Sequence, residues 1–335
     1  MKLRLRSVVT RSLLGLTLGV AGAAAAATTS GLEVIKVLPS QTDPAIKEFD
    51  LPHFIYVDHD ALGTAHPDRP TGRHELLLWI PGTQPPGGKG EGPGGAGKFC
   101  ELAAHLGYHV IVLKYPNAAS AAVCRRDEDP DAFEKFRDTI IAGGSSRHIK
   151  VSRADSIENR LIKLLLHLQR TRPAEGWDQY LAPGDTIRWE ALAVAGQSQG
   201  GGHAALIGLK HRVARVICTG APKDYSLALG RPAAWLGQKS ATPKSRFFAF
   251  NHLQDHQGCS PAQQLENLRA LGLDALGAPV SVDRESPPYQ HTRILTTNYP
   301  GTKLDSGPAH TSVMNPRNAE VFRKVWTYML TEKAP

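Results

Sequence analysis

The chain has 335 residues, 41% of them hydrophobic and 21% charged, with a formal charge of +8 at pH 7. That length accommodates a targeting segment and one large domain of roughly 250–300 residues with a substantial core. Setting aside residues 1–27, which carry Lys2, Arg4, Arg6 and Arg11 but no acid, leaves 35 basic against 31 acidic side chains, a scattered excess that argues against a nucleic-acid partner.

The N-terminus reads as an export signal. A basic stretch, Met1–Arg11, leads into the apolar run Leu13–Val20 and an alanine tract ending in Ala25-Ala26-Ala27 before Thr28. Small residues just before the cut are what a signal peptidase accepts. The apolar run is shorter than the ~20 residues that cross a bilayer, so cleavage is expected rather than an anchor, and no stable span is expected afterwards. The expected location is periplasmic or extracellular. A polar linker over 28–40 is expected to precede one domain, 41–335, with a monomer as the simplest assembly.

From there strand-like and helix-like segments alternate. Glu75–Ile80 is a short apolar run stopped by Pro81-Gly82, the mark of a buried strand. Phe99–Leu106 predicts a helical turn or two closed by Gly107, and His109–Tyr115 the next strand. A short helix is expected over Asp131–Ile141. Ser156–Arg170 places Ile157, Leu161, Leu164, Leu165 and Leu168 on one helix face, with Asp155 or Ser156 as the cap. Strands follow at Ala191–Ala195, Val213–Cys218, Phe247–Phe250 and Arg293–Thr297. Helices are expected from near Ser198, over Pro261–Leu271 and over Asn318–Leu330. Apolar strands separated by helices predict an α/β fold, a mostly parallel central sheet covered on both faces. Two long connections, Thr83–Lys98 and Pro116–Arg153, leave the carboxyl ends of strands, the edge where open α/β sheets bind ligands.

Chemistry enters with Gly196-Gln197-Ser198-Gln199-Gly200, a G-x-S-x-G pattern between the strand LAVA and the helix-compatible HAALIGL. A serine in a strained strand-to-helix turn needs neighbours without bulk two residues away on each side, which Gly196 and Gly200 satisfy. On these residues and the order of elements around them, the chain resembles the α/β-hydrolase superfamily. The resemblance implies a nucleophile, then an acid, then a histidine along the chain. Ser198 takes the first role. His310, after the strand RILTT and before the last helix, takes the third. The acid is Asp255, in a turn after FFAF that is similar to the family's but has Asn-His in place of His-Gly, or alternatively Asp224 after the preceding strand. The resemblance also implies an oxyanion hole from the backbone N–H groups of Gln199 and Thr83, with Gln84 next to it.

The implied function is a secreted serine hydrolase, esterase-like, acting through an acyl-enzyme on a small or polymer-borne ester, with no cofactor and no metal. Peptidase, thioesterase and acyltransferase use the same constellation, and a non-catalytic binding protein could keep the fold. Only 25–30 residues separate the strands ending near Cys218 and starting near Phe247, which leaves little room for a lid. His203, His252 and His256 match no standard ligand spacing. Gly92–Lys98 spells G-x-x-x-x-G-K but is followed by Phe99 where a phosphate loop needs Ser or Thr. Four cysteines in an exported chain suggest disulfides, for which Cys100–Cys124 and Cys218–Cys259 would join neighbouring elements; buried free thiols are the alternative.

Overall fold

The computed structural model describes residues 31–63, 74–84 and 92–333. A nine-stranded sheet organises it. Its strands are β1 (Leu32–Val37), β2 (His53–Asp58), β3 (Leu76–Ile80), β4 (His109–Val112), β5 (Leu192–Gln197), β6 (Arg215–Thr219), β7 (Phe247–His252), β8 (Val280–Ser281) and β9 (Ile294–Thr297). They lie in the order β1-β2-β4-β3-β5-β6-β7-β9-β8. β2 is antiparallel to both of its neighbours and every other pairing is parallel.

Period-two alternation divides the core into two layers. Leu76, Leu78 and Ile80 of β3 face one layer, together with Ile111, Leu192 and Val194. Leu77 and Trp79 face the other, with Val110, Val112, Ala193 and Ala195. The first layer is covered by α2 (Ala132–Ala142), α3 (Ile157–Thr171) and α4 (Gln199–Lys210). The second is covered by α1 (Gly97–His105) and the C-terminal α7 (Ala319–Thr331). Both sides of the strands meet apolar side chains, which is why the central ones read as unbroken apolar runs. α3 has the expected stripe buried, and Ser156 rather than Asp155 caps it, its hydroxyl accepting from the Asn159 N–H at 3.3 Å. Two further helices, α5 (Pro261–Ala270) and the short α6 (Ser306–Ser312), flank the carboxyl edge of the sheet.

Three expectations change. The stretch 28–40 is not a linker throughout, because Leu32–Val37 forms β1, an edge strand paired along its whole length with β2. The segment HFIYVD, which carried no strand expectation, is β2 and is buried from end to end. The disulfides Cys100–Cys124 and Cys218–Cys259 are absent, and all four thiols are buried and free. Cys100 belongs to the α1 layer and Cys124 to the opposite one, so the sheet separates them beyond any disulfide reach. The Cys218 thiol instead turns onto α4, donating to the Gly201 carbonyl at 3.3 Å. The segment between β6 and β7 holds only a two-residue hairpin (Tyr225–Ser226 with Arg231–Pro232) and single turns, in keeping with the absence of a large lid there. Residues 1–27, on which the export expectation rests, lie outside the described residues, and no described helix is long and apolar enough to cross a membrane.

Candidate active site

The site begins at the end of β5. Ser198 stands between strand and helix with φ 55° and ψ −121°, a conformation that L-residues adopt only under constraint. Two backbone bonds impose it: the Ser198 N–H donates to the Thr219 carbonyl at 2.9 Å, and the Ser198 carbonyl accepts from the Gly202 N–H at 3.1 Å. A side chain at Gly196 would run into the Gly200 backbone, and one at Gly200 would run into the Ile80 carbonyl of β3. The glycines two residues to either side are therefore a packing requirement of the turn.

His310 sits on α6 and Asp255 in the turn after β7, both buried. Their side chains meet, His310 Nδ1 lying 2.8 Å from Asp255 Oδ2. The other carboxylate oxygen, Oδ1, accepts the Gln257 N–H at 3.0 Å, and Gln264 Nε2 holds the Asp255 carbonyl at 2.7 Å, so the acid is fixed from several sides. Lys223 Nζ also reaches Asp255 Oδ2, at 2.8 Å. Burial opposes ionisation of Asp255, but the bonds and charges of His310 and Lys223 outweigh it and hold the carboxyl below its ordinary value. An ionised carboxylate only accepts, so the proton of the pair belongs on His310 Nδ1 and the lone pair on Nε2. Ser198 and His310 line the same cleft.

Asp224, the alternative acid, is committed elsewhere. Its carboxylate takes Arg137 Nε at 2.6 Å and Arg137 Nη2 at 2.5 Å, and accepts from Trp235 Nε1 at 2.9 Å. Carboxylate and guanidinium are each 1% exposed. The same guanidinium donates to the Gln199 carbonyl at 2.9 Å, tying this ion pair to the first turn of α4. Sequence reasoning did not find Arg137. It falls on the short helix expected over Asp131–Ile141, and only the fold brings that helix under the serine.

The expected oxyanion donors converge as well. Thr83 and Gln199 line the cleft with Ser198. Gln84, the other choice, has its N–H engaged by the Asn117 carbonyl at 3.2 Å, which favours Thr83. The Gln199 side chain performs a task the sequence did not suggest. Its Oε1 accepts from the Ala121 N–H at 2.8 Å and from the Thr83 hydroxyl at 3.2 Å, while its Nε2 donates to the Ala119 carbonyl at 2.9 Å. One amide thus clamps the loops after β3 and β4 to the Ser198 turn.

Around these groups lies a cleft of about 450 Å³ at the carboxyl ends of the strands. Both long connections border it, through Thr83, Gln84, Pro93 and Gly95 on one side and Ser120, Ala121, Ala122 and Arg125 on the other. Lys114, after β4, also lines it, with burial lowering its ammonium to about 8.

His203, His252 and His256 stay apart from this chemistry. His203 is fully buried against Tyr115 and Arg137, and desolvation with the guanidinium charge keeps it well below the ordinary imidazole range. The His252 ring accepts from the Gln254 N–H and donates to the Tyr299 carbonyl, and His256 is exposed. Glu33, His59 and Glu175 bring ligand atoms within 4.8 Å of one another, but the Arg172 guanidinium pairs with both carboxylates and takes the place a cation would fill. Lys98, at the end of the glycine-rich stretch, pairs with Glu101 on the surface at 2.7 Å.

No protein-family model matches the chain, and no curated protein matches it. Among solved structures, it is similar to a Bacteroides ovatus protein provisionally named a dipeptidyl aminopeptidase IV, with 13% identity and a TM-score of 0.39 over 89% of this chain. The chain spans 35% of the length of that protein. It is also similar to TT1662 from Thermus thermophilus, with 14% identity and a TM-score of 0.38, covering 90% of this chain and 99% of that one. Likeness of this size transfers no substrate and no activity.

Proposed function

We propose that the protein is an exported serine hydrolase that cleaves carboxylic esters through an acyl-enzyme. Ser198 Oγ attacks the acyl carbonyl carbon as its proton passes to His310 Nε2. Asp255 keeps the imidazole in the required tautomer and stabilises the cation it becomes. The carbonyl oxygen, now an oxyanion, takes the N–H groups of Thr83 and Gln199, an interaction worth about 3–4 kcal/mol per donor in the transition state. Collapse expels the alcohol, which leaves with the His310 proton. Water then gives a proton to His310 and repeats the attack, releasing the acid and restoring Ser198.

The observation that carries this reading is the pairing of a strained Ser198, φ 55°, with a His310 held 2.8 Å from Asp255 in one cleft. An ester is favoured over a peptide amino terminus because Asp224, the one carboxylate lining the cleft among the described residues, already holds Arg137, and Asp255, paired with His310, already holds Lys223. Neither is free to receive an ammonium group.

Kinetics on p-nitrophenyl esters beside aminoacyl-amide substrates test the proposal. Ester turnover that disappears in Ser198→Ala is expected. A clear amide preference would replace the ester assignment while leaving the triad, and no turnover of either class by folded protein would favour a binding protein. Export is checked by N-terminal sequencing of the protein recovered outside the cytoplasm, with Thr28 expected as the first residue.

A further inference from the structure

Arg125 stands on the two-turn 3₁₀ segment Ala121–Arg126 that follows β4, and it lines the cleft with Ser198 and His310. Its backbone is fixed, the carbonyl accepting from the N–H groups of Leu227 and Ala228 at 2.7 and 3.3 Å. The other cations of the cleft have partners: Arg137 holds Asp224, Lys223 holds Asp255, and Lys114 Nζ donates to the Gly92 carbonyl at 2.9 Å. Arg125 differs from them. Its Nε is buried with no hydrogen-bond partner among the described residues. A buried donor left unmade is costly, and natural sites usually satisfy it with a ligand or water.

The charge balance points the same way. Lys114, Arg125, Arg137 and Lys223 face Asp224 as the one lining carboxylate among the described residues. Crediting Asp255 to Lys223 still leaves Lys114 and Arg125 without a carboxylate partner there. A cleft of one sign with low-dielectric walls raises the local concentration of oppositely charged ligands. A guanidinium keeps its charge at any working pH and matches a carboxylate with two parallel bonds.

We infer that the cleft selects an ester bearing a carboxylate, on its acyl or its alcohol half, and that Arg125 receives that carboxylate. This rests on the hydrolase reading above and names the substrate class within it. The uncharged cleft surface would then hold the ester bond at Ser198 while the anion fixes the direction of approach.

Binding to the full mature chain carrying Ser198→Ala tests the inference without requiring turnover. Isothermal titration compares 4-acetoxybenzoate with its neutral methyl ester, and monophenyl adipate with neutral phenyl hexanoate. In at least one pair the anion is expected to bind about tenfold more tightly or better, the range of a charge-assisted hydrogen bond. Adding Arg125→Gln should bring that ratio close to one, and Arg125→Lys, which keeps the charge, should restore part of it. Equal affinity within both pairs, undetectable binding of all four, or a preference that survives Arg125→Gln would overturn the inference. Failure of the hydrolase reading shows separately, as wild-type protein that turns over no ester whatever its binding preference.

Discussion

Two buried carboxylates follow adjacent strands of the sheet, and they differ in the partner each one holds. Asp224 follows β6 and grips a guanidinium in a bidentate pair; Asp255 follows β7 and grips an imidazole. Both are essentially without solvent. A guanidinium does not release its proton in a protein, so the first pair is a fixed strut, and its contact with the Gln199 carbonyl carries that rigidity to the start of α4. An imidazole can exchange a proton on its far nitrogen, so the second pair can work through a reaction cycle. The same acid, in adjacent loops at the same edge of one sheet, serves scaffold in one place and is suited to catalysis in the other. The basic partner makes the distinction.

Substituting each acid by its amide should separate the roles. Asp255→Asn leaves the shape intact but favours the wrong imidazole tautomer, and ester kcat should fall about 10³–10⁴-fold with little loss of fold. Asp224→Asn should act through stability, because Arg137 would stay buried without its counter-charge, a loss of about 3–5 kcal/mol read by chemical denaturation. If Asp224→Asn removed activity at full stability while Asp255→Asn retained it, the two roles would have to be exchanged.

The Ser198 turn, to which the first pair is tied, can be probed next. A methyl group at Gly200 meets the Ile80 carbonyl, so Gly200→Ala must push α4 away from β3. We expect a stability loss of about 1–3 kcal/mol and a larger proportional loss of ester kcat, since Ser198, the proposed nucleophile, itself moves. Gln199→Ala should be milder. It leaves the Ala121 N–H and the Thr83 hydroxyl without their acceptor, costing about 1–3 kcal/mol, with kcat falling more than KM rises if Thr83 helps position the oxyanion.

The smallest effect is one of pH. Asp255 is held below its ordinary value in the folded protein, so it binds fewer protons folded than unfolded over that range. Its stabilising contribution is fully present above the unfolded value, about 3.9, and is lost as pH falls through the lower folded value. Wild type should therefore lose stability below about pH 4 more steeply than Asp255→Asn, as followed by thermal melting across pH 2–6. Parallel slopes would mean that the pairing with His310 and Lys223 does not favour the charged form.

The contrast between the two acids also marks how far the sequence could be read. The serine turn was legible because its requirements are local: a strand, a residue in a strained conformation and two glycines whose missing side chains allow β3 to approach. The helix stripe of α3 was legible through its spacing, and His310 through its place after the last long strand. β1 and β2 were not, since LEVIKV alternates weakly and HFIYVD starts and ends on polar residues that the fold nevertheless buries. Arg137, Lys223 and Arg125 gave no local signal at all. Each lies in a connection or short helix whose destination only the packed structure decides. The cysteine pairs misled for a related reason: Cys100 and Cys124 are near in sequence, but consecutive elements of an α/β fold can lie on opposite faces of the sheet.

Ser198 is proposed to be a nucleophile made reactive by its turn and by the His310–Asp255 pair. A fluorophosphonate probe applied to folded mature protein, with the adduct located by peptide mass spectrometry, tests it most directly. A single adduct on Ser198 is expected, formed rapidly in wild type and at least a hundredfold more slowly in His310→Ala, in the ~10²–10⁴ range for removing a general base. Folded protein that carries no adduct at Ser198, or labels there equally fast without the imidazole, would contradict it.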